Sequence, residues 1–254
     1  MKNVAMTCAA IGSAVLLWAG LAIGGSLNIT VPQEGLLGYW TGDGDALDHS
    51  GNGNDGVFWG NGSYAPGVNG QAFQFRSHSG VDIPNRSYWR MASDASYAFW
   101  VRTDQASAWN AEWTFICQDA GPGTGVVKWV LAARPEYIQV HTNGYPGGIL
   151  VNWPVLLQVG VWTHVAVVKH NSEYTLYRNG IEFARTTNSD PFPVVNAPLR
   201  LGYGEEILQL VGAMDDVVFY NRALTANEVQ GLAGIAAPVQ VQPECWGTIK
   251  SLYR

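Results

Sequence analysis

Short runs of alternating apolar and polar residues recur along this chain, and glycine, proline and asparagine residues separate them. Such alternation suits β-strands that bury one face, and almost no segment shows the apolar period of a helix. About a dozen short strands joined by tight loops predict an all-β protein built as a two-sheet antiparallel sandwich. The predicted strands are 36–40, 56–59, 72–75, 80–83, 97–102, 113–117, 126–132, 137–141, 162–169, 173–178, 181–185, 199–203 and 211–220.

Two local signals add a turn and a helix to this sandwich. Asn179-Gly180 supplies the two positive-φ residues of a type I′ hairpin turn. Thr225 followed by Glu228 forms a capping box, which predicts one short helix near 225–233. No low-complexity linker divides the middle of the chain, so we expect a single domain over 36–234 and a Pro- and Gln-rich tail at 235–254.

The first 25 residues have the pattern of a targeting segment. Met1-Lys2 gives a basic start, Ile11–Ile23 is strongly apolar, and small residues follow at Ala22–Ser26. This pattern predicts a secretory signal peptide at 1–25. The alternative is a retained apolar anchor, through which copies of the chain could self-assemble.

The composition also favours a secreted or cell-surface protein. Charged residues make up 13% of the chain, against roughly 25% in typical domains. The net charge of −6 provides no basic surface, which argues against nucleic acid as a partner. Removal of residues 1–25 would leave Cys117 and Cys245, which could form a disulfide in an oxidising compartment or remain as separate thiols.

Five segments, taken in order, resemble laminin G-like domains of the concanavalin A-like jelly-roll family. They are Leu37-Gly-Tyr-Trp40, the loop 48–56 with the following 66–73, Tyr97-Ala-Phe-Trp-Val101, the pair Trp162–Val168 and Leu176–Gly180, and Gly212–Leu224. The resemblance covers about 36–233 and implies two curved antiparallel sheets, with a structural Ca²⁺ near one edge in many members. It does not imply one activity, because this fold carries binding, adhesion, accessory and virion functions.

Acidic residues predict where such a calcium ion would bind. The loop 43–56 contains Asp43 and Asp48 among glycine and asparagine residues, whose carbonyl groups Ca²⁺ also accepts as ligands. In the last predicted strand, Asp215 alternates with Val217 and Phe219, so we expect all three side chains to face inward. A buried carboxylate needs donors or a metal, and we predict a structural Ca²⁺ held by Asp215 together with Asp43, Asp48 or both. Alternatively, these carboxylates only cap turns.

Aromatic residues in predicted loops indicate carbohydrate binding. Trp109, Tyr145 and Trp153 lie among Asn, Ser and Gly residues, which could read sugar hydroxyl groups while the rings stack on sugar faces. Most of the other tryptophans, including Trp40, Trp100 and Trp162, match core positions of the family.

The sequence argues against an enzyme. The laminarinase-type enzymes of this fold carry a Glu-x-Asp-x-x-Glu strand that is absent here, and the adjacent Glu205 and Glu206 would point to opposite faces of a strand. We therefore predict a non-catalytic extracellular module that binds a glycan or a protein surface. The alternative is a structural subunit of a surface filament or virion, and a glycoside hydrolase has the weakest support.

Overall fold

The alternating runs of the sequence form β-strands in the computed structural model, which describes residues 27–105, 112–121, 126–143, 148–154, 157–204 and 208–235. The strands are β1 (Leu36–Trp40), β2 (Val57–Gly60), β3 (Ser63–Pro66), β4 (Gln71–Phe75), β5 (Ser79–Ile83), β6 (Ala95–Thr103), β7 (Trp113–Asp119), β8 (Lys128–Arg134), β9 (Tyr137–Asn143), β10 (Gly148–Trp153), β11 (Thr163–His170), β12 (Glu173–Arg178), β13 (Ile181–Thr187), β14 (Leu199–Leu201), β15 (Tyr203–Gly204), β16 (Leu208–Gln209) and β17 (Gly212–Tyr220). The helix α1 spans Ala226–Leu232.

These strands form two antiparallel sheets and a small hairpin. The first sheet has the order β13-β12-β11-β6-β17-β4-β3, and β1 also pairs with β17. The second sheet has the order β10-β9-β8-β7-β14-β5-β2, while β15 and β16 pair with each other. Strand neighbours are therefore often distant in sequence, as in a jelly roll, and the predicted two-sheet sandwich is confirmed.

Aromatic side chains from both sheets form the core between them. Tyr97 of β6 packs against Trp129 of β8 with ring centroids 5.6 Å apart, and Phe99 lies 5.2 Å from Phe115 of β7. These pairs bury large apolar areas and prefer such tilted contacts. The core therefore fixes the relative position of the two sheets.

The helix covers the outer face of the first sheet. Thr225 accepts a hydrogen bond from the Glu228 amide, and the Glu228 side chain accepts one from the Thr225 amide, which is the predicted capping box. Val229 and Leu232 are buried against a second apolar cluster that includes Tyr220. Every residue of β17 is therefore buried, because the core covers one face and this cluster covers the other.

The structure differs from the sequence prediction at its short or irregular strands. Ser63–Pro66 and the hairpin of β15 and β16 were not predicted, because they are too short to show alternation. Gly148–Trp153, which we expected to be part of a sugar-binding loop, is strand β10 and pairs with β9. Its run of consecutive apolar residues hid the period of two.

Some predictions fall outside the described residues. These are the signal peptide or anchor at 1–25, self-assembly through it, and the tail from 236 onward. Within the described ranges, no helix has the length and apolar character needed to cross a bilayer.

Candidate functional site

The last strand changes its neighbour part-way along, and two adjacent carboxylates lie at the change. Residues 212–214 of β17 pair with β4, whereas residues 217–220 pair with β1. Asp215 and Asp216 lie between these two pairings, next to a β-bulge in the pairing of β17 with β6. On the side of β17 that faces β4 and β1, the backbone of the two aspartates therefore has no partner strand. We call this place the Asp215–Asp216 gap.

The bulge corrects one prediction about Asp215. We expected its side chain to share an inward face with Val217 and Phe219, and both of these do lie in the core cluster. Met214 lies in the same cluster, however, so the side chain of Asp215, the next residue, points to the opposite face. The extra residue in the bulge then returns Val217 to the inner face. Asp215 is nevertheless completely buried, as expected.

A glycine-flanked turn binds one oxygen of Asp215. Its Oδ2 accepts hydrogen bonds from the backbone amides of Val68 (2.7 Å) and Asn69 (3.1 Å). A Cβ atom on Gly67 would lie 2.3 Å from this oxygen, so the close approach requires glycine. The buried Oδ1 has no hydrogen-bond partner among the described residues. Burial, and then the neighbouring charge of Asp216, raise the pKa of Asp215 to about 8 despite the turn amides.

Asp216 has a similar environment. Its φ of 48° lies in the left-handed region, which the bulge imposes on a residue other than glycine. Its Oδ1 accepts a hydrogen bond of 2.6 Å from the Tyr39 hydroxyl, and its Oδ2 has no partner within the described chain. Burial raises the pKa of Asp216 to about 6; Tyr39 opposes this shift, and the charge of Asp43 adds to it.

The two acidic residues predicted from the loop have different roles. Asp43 lies on the side of the gap, where its Oδ1 accepts a 2.6 Å hydrogen bond from the Gln71 amide and its charge reaches Asp216. Asp48 instead organises the loop, because its carboxylate accepts hydrogen bonds from the amides of Tyr39, Ser50 and Asn54. The structure thus brings Asp43 and Asp215 to one region, while Asp48 is committed to backbone amides.

The gap has the chemistry that a hard cation requires. Within the described chain, each of the two buried carboxylates keeps one oxygen without a hydrogen-bond partner, and such atoms are rare in folded proteins. Among the described residues, no group of three or more His, Cys, Asp or Glu side chains has the arrangement of a metal site. A cation here would therefore need main-chain oxygens in addition to the two carboxylates. Sequence reasoning missed Asp216 because strict alternation placed it on the other face, although the adjacent Asp215-Asp216 pair was a visible signal.

The three aromatic residues predicted to bind sugar do not form a common site in the described chain. Trp109 and Tyr145 lie outside the described residues. Trp153 ends β10 and packs in the core, 1% exposed, so neither face of its ring is accessible in this structure.

Cys117 is buried and its Sγ donates to the Tyr203 carbonyl at 3.3 Å, while Cys245 lies outside the described residues.

A second polar cluster, not predicted from the sequence, lies on the second sheet. The buried carboxylate of Glu112 accepts hydrogen bonds from Arg134 (3.2 Å), Gln139 (2.8 Å) and His141 (3.0 Å). Burial alone would raise the pKa of Glu112, but His141 and Arg134 outweigh it and lower the pKa. Both oxygens of this carboxylate accept hydrogen bonds from neighbouring side chains, so the cluster stabilises the second sheet.

Comparison with known proteins identifies the family. The model of a laminin G family, described as the concanavalin A-like lectin/glucanases superfamily, matches residues 75–230. Mouse usherin is 24% identical over 185 residues, which cover 68% of this chain and 3% of usherin. Rat usherin is 25% identical over 188 residues, covering 70% of this chain and 4% of usherin. The chain thus spans a very small part of these curated relatives.

Solved structures show the same fold at low sequence identity. Domain 4 of AbnA, an extracellular arabinanase from Geobacillus stearothermophilus solved with arabinotriose, has a TM-score of 0.61 and 23% identity, covering 78% of this chain and 98% of that domain. The binding domain of paraclostridial mosquitocidal protein 1 has a TM-score of 0.62 and 18% identity, with coverages of 79% and 52%. The ligand-binding domain of botulinum neurotoxin serotype D, solved with N-acetylneuraminic acid, has a TM-score of 0.61 and 14% identity, with coverages of 79% and 51%.

By their descriptions, two of these solved structures are binding domains and one is a domain of an extracellular arabinanase, and their likeness establishes the fold. The family match covers more than half of the sequence. The chain therefore belongs to the laminin G-like family of the concanavalin A-like lectin/glucanase superfamily.

Proposed function

We propose that this chain is a non-catalytic extracellular binding module that recognises a glycan or a protein surface and carries a structural calcium ion at the Asp215–Asp216 gap. Two similar folds were solved with sugars, one with arabinotriose and one with N-acetylneuraminic acid. Another was solved with synaptotagmin, a protein ligand. These neighbours support a binding role for the fold.

The pair of unpaired carboxylate oxygens at the gap carries the calcium part of this proposal. Ca²⁺ binds six to eight oxygen ligands and accepts both carboxylates and backbone carbonyls. Asp215 and Asp216 would supply one free oxygen each, and Asp43 lies within electrostatic reach. Bound calcium would compensate the negative charge of the two carboxylates, which burial otherwise disfavours.

The residues of the gap would then hold β1 and the turn before β4 to β17. Asp215 already binds the turn before β4, and Asp216 binds Tyr39 of β1. A cation between them would join both strands to β17 at the point where the backbone pairing is interrupted. The calcium site would therefore stabilise the first sheet and take no part in a reaction.

The calcium proposal is tested by the melting temperature of the full chain with calcium and with a chelator. Anything that binds only the native state raises its stability, so the chelator should lower the melting temperature and calcium should restore it. Asp215→Asn should abolish this response. Asp45→Asn is the matched control, because Asp45 belongs to the same acidic loop but caps the amide of Leu47. A wild-type protein with no response to the chelator would contradict the calcium site.

The binding proposal is tested separately on a glycan array and by pull-down from an extracellular protein fraction. Trp109→Ala and Tyr145→Ala remain the sequence-based variants, and each lost stacking platform should weaken glycan binding by about 1–3 kcal/mol. Unfolding of these variants is excluded by circular dichroism. Failure to bind any glycan or protein would refute the proposed function without affecting the calcium result.

A further inference from the structure

A tryptophan lies on the outer face of the second sheet, in its outermost strand β2. Phe58 packs against the core, so its neighbours Val57 and Trp59 point to the opposite, outer face. Trp59 is half-buried, and Val57 is 66% exposed. This surface is separate from the Asp215–Asp216 gap, which belongs to the first sheet.

A glycine in the next strand leaves room for the indole ring. Gly80 of β5 lies opposite Trp59, and a Cβ atom on Gly80 would be 3.0 Å from Cζ2 of that ring. Glycine in a strand allows such a close approach. On the same face, the ring of Tyr203 makes a T-shaped contact with Trp59, with centroids 5.0 Å apart. The indole is therefore packed onto the sheet, while part of it stays exposed.

A carboxylate fixes the indole and a nearby arginine. Oδ1 of Asp82 accepts hydrogen bonds from Nε1 of Trp59 and from Nε of Arg200, both at 3.0 Å. Asp82 and Arg200 are directly opposite each other in the pairing of β5 with β14, and their side chains are 33% and 22% exposed. We call Trp59, Asp82 and Arg200 the Trp59 platform. Its groups hold one another in place before any ligand binds, which reduces the entropy lost on binding.

The platform has hydrogen-bonding capacity that its own contacts leave unused. Oδ2 of Asp82 and the two terminal nitrogens of Arg200 make no hydrogen bond to any part of the chain that the structure describes. A hydroxyl group can donate to the first and accept from the second. Two neighbouring hydroxyl groups would therefore engage both side chains at once.

The charges and the indole together favour a neutral sugar. Asp82 and Arg200 compensate each other, so an ion of either sign would meet a like charge beside the opposite one. The exposed part of Trp59, with Val57 next to it in the strand, offers apolar surface for C–H groups. Adjacent hydroxyl groups beside a face of C–H groups occur on sugar rings and on no amino-acid side chain.

We propose that the Trp59 platform binds one neutral sugar residue, which stacks on the indole and shares its hydroxyl groups between Asp82 and Arg200. This inference rests on the proposed glycan-binding function and gives it a location. It is independent of Trp109 and Tyr145, and it requires no metal.

The test is a nuclear magnetic resonance titration of the isotope-labelled full chain with arabinotriose and a panel of neutral hexose oligosaccharides. We expect the indole N–H signal of Trp59, assigned by its loss in Trp59→Leu, to shift with at least one sugar. Trp59→Leu should weaken the binding of that sugar about 10-fold or more, as the loss of an aromatic stacking contact does. Asp82→Asn should weaken it about 3- to 10-fold, because a neutral acceptor replaces a charged one.

Trp162→Leu is the matched control. Trp162 is also half-buried and also contacts an arginine, whose guanidinium carbon lies 5.1 Å from the ring centre, but it adjoins β11 of the first sheet. The control should leave the sugar affinity unchanged. Circular dichroism checks the folding of every variant. If Trp59→Leu does not fold, Asp82→Asn and Arg200→Lys decide, since lysine keeps the charge but loses the planar fork of donors.

The outcomes separate the platform from the wider proposal. Sugar binding that leaves the Trp59 signal unmoved, or that keeps wild-type affinity in the folded variants, would overturn the platform and leave glycan binding intact. An equal loss of affinity in Trp162→Leu would overturn it as well. A lack of shifts with every sugar would overturn the platform and leave only the protein-surface form of the proposed function.

Discussion

The Glu112 cluster permits a quantitative prediction for Glu112→Gln. The substitution keeps the size of the side chain but removes the negative charge that accepts three hydrogen bonds, from Arg134, Gln139 and His141. Hydrogen bonds to charged groups contribute about 1.5–3 kcal/mol each, against about 0.5–1.5 kcal/mol for neutral ones. The carboxylate is almost fully buried, so solvent does not screen this difference. We expect a loss of about 2–3 kcal/mol in the free energy of unfolding.

Thermal and urea denaturation of the full chain at pH 7 would measure this loss. For a domain of this size it corresponds to a fall of roughly 5–10 °C in melting temperature. Glu136→Gln is the matched control, because Glu136 is exposed in the turn between β8 and β9. The control should change the free energy of unfolding by less than about 0.5 kcal/mol.

The same variant has a predicted pH dependence. The net effect of its partners lowers the pKa of Glu112 in the folded protein, although burial opposes them. Its stabilising contribution is therefore present above the unfolded pKa of about 4.3 and is lost as the pH falls below it. The difference between wild type and Glu112→Gln should be full at pH 7 and should shrink below about pH 4. A difference under 0.5 kcal/mol at pH 7, or one that grows in acid, would refute the reasoning.

Two further predictions concern the helix and the hairpin turn. Thr225→Ala should lower the free energy of unfolding by about 1 kcal/mol, because it removes the helix cap. The acid sensitivity of the helix should follow the titration of Glu228, whose pKa is lowered to about 2 mainly by its hydrogen bond from Arg222. The stabilisation by the Glu228–Arg222 ion pair is present above the unfolded pKa of Glu228 and is lost as the pH falls toward 2. It should be small, because the ion pair is partly exposed. An unchanged acid transition in Glu228→Gln would contradict this prediction. Gly180→Ala should destabilise more than Gly51→Ala in urea titrations, since both have positive φ but only at Gly180 would a Cβ meet neighbours, the nearest being Ile235 at 2.8 Å. Equal losses of stability in Gly180→Ala and Gly51→Ala would show that packing around this turn does not contribute to stability.

Regular strands, turns and the helix could be predicted from the sequence because their signals are local. The Asn179-Gly180 turn has φ values of 50° and 74°, as a type I′ turn requires. The capping box at Thr225 is present, and the strand periods placed most core residues on the correct face. These features depend on neighbours within a few residues, where the chemistry of each side chain limits the backbone directly.

The candidate site was harder to predict because its geometry is not local. The partner change from β4 to β1 creates the gap at Asp215 and Asp216, and no residue near them in sequence encodes it. The bulge then reverses the alternation that had placed Asp215 inward. The Glu112 cluster likewise joins the start of β7 to β8 and β9, so these contacts become visible only in the folded chain.

The position of β17 has a consequence for how the protein is made. This late strand lies between β6 and β4 in the first sheet, and it is also the strand with which β1 pairs, about 180 positions earlier in the chain. Until the ribosome has released residues 212–220, β6 and β4 keep unpaired edges that could pair with other chains. Closure of the sheet must then bring distant segments together, which slows folding. Synthesis of this protein should therefore depend on protection of the nascent chain until its last strand is available.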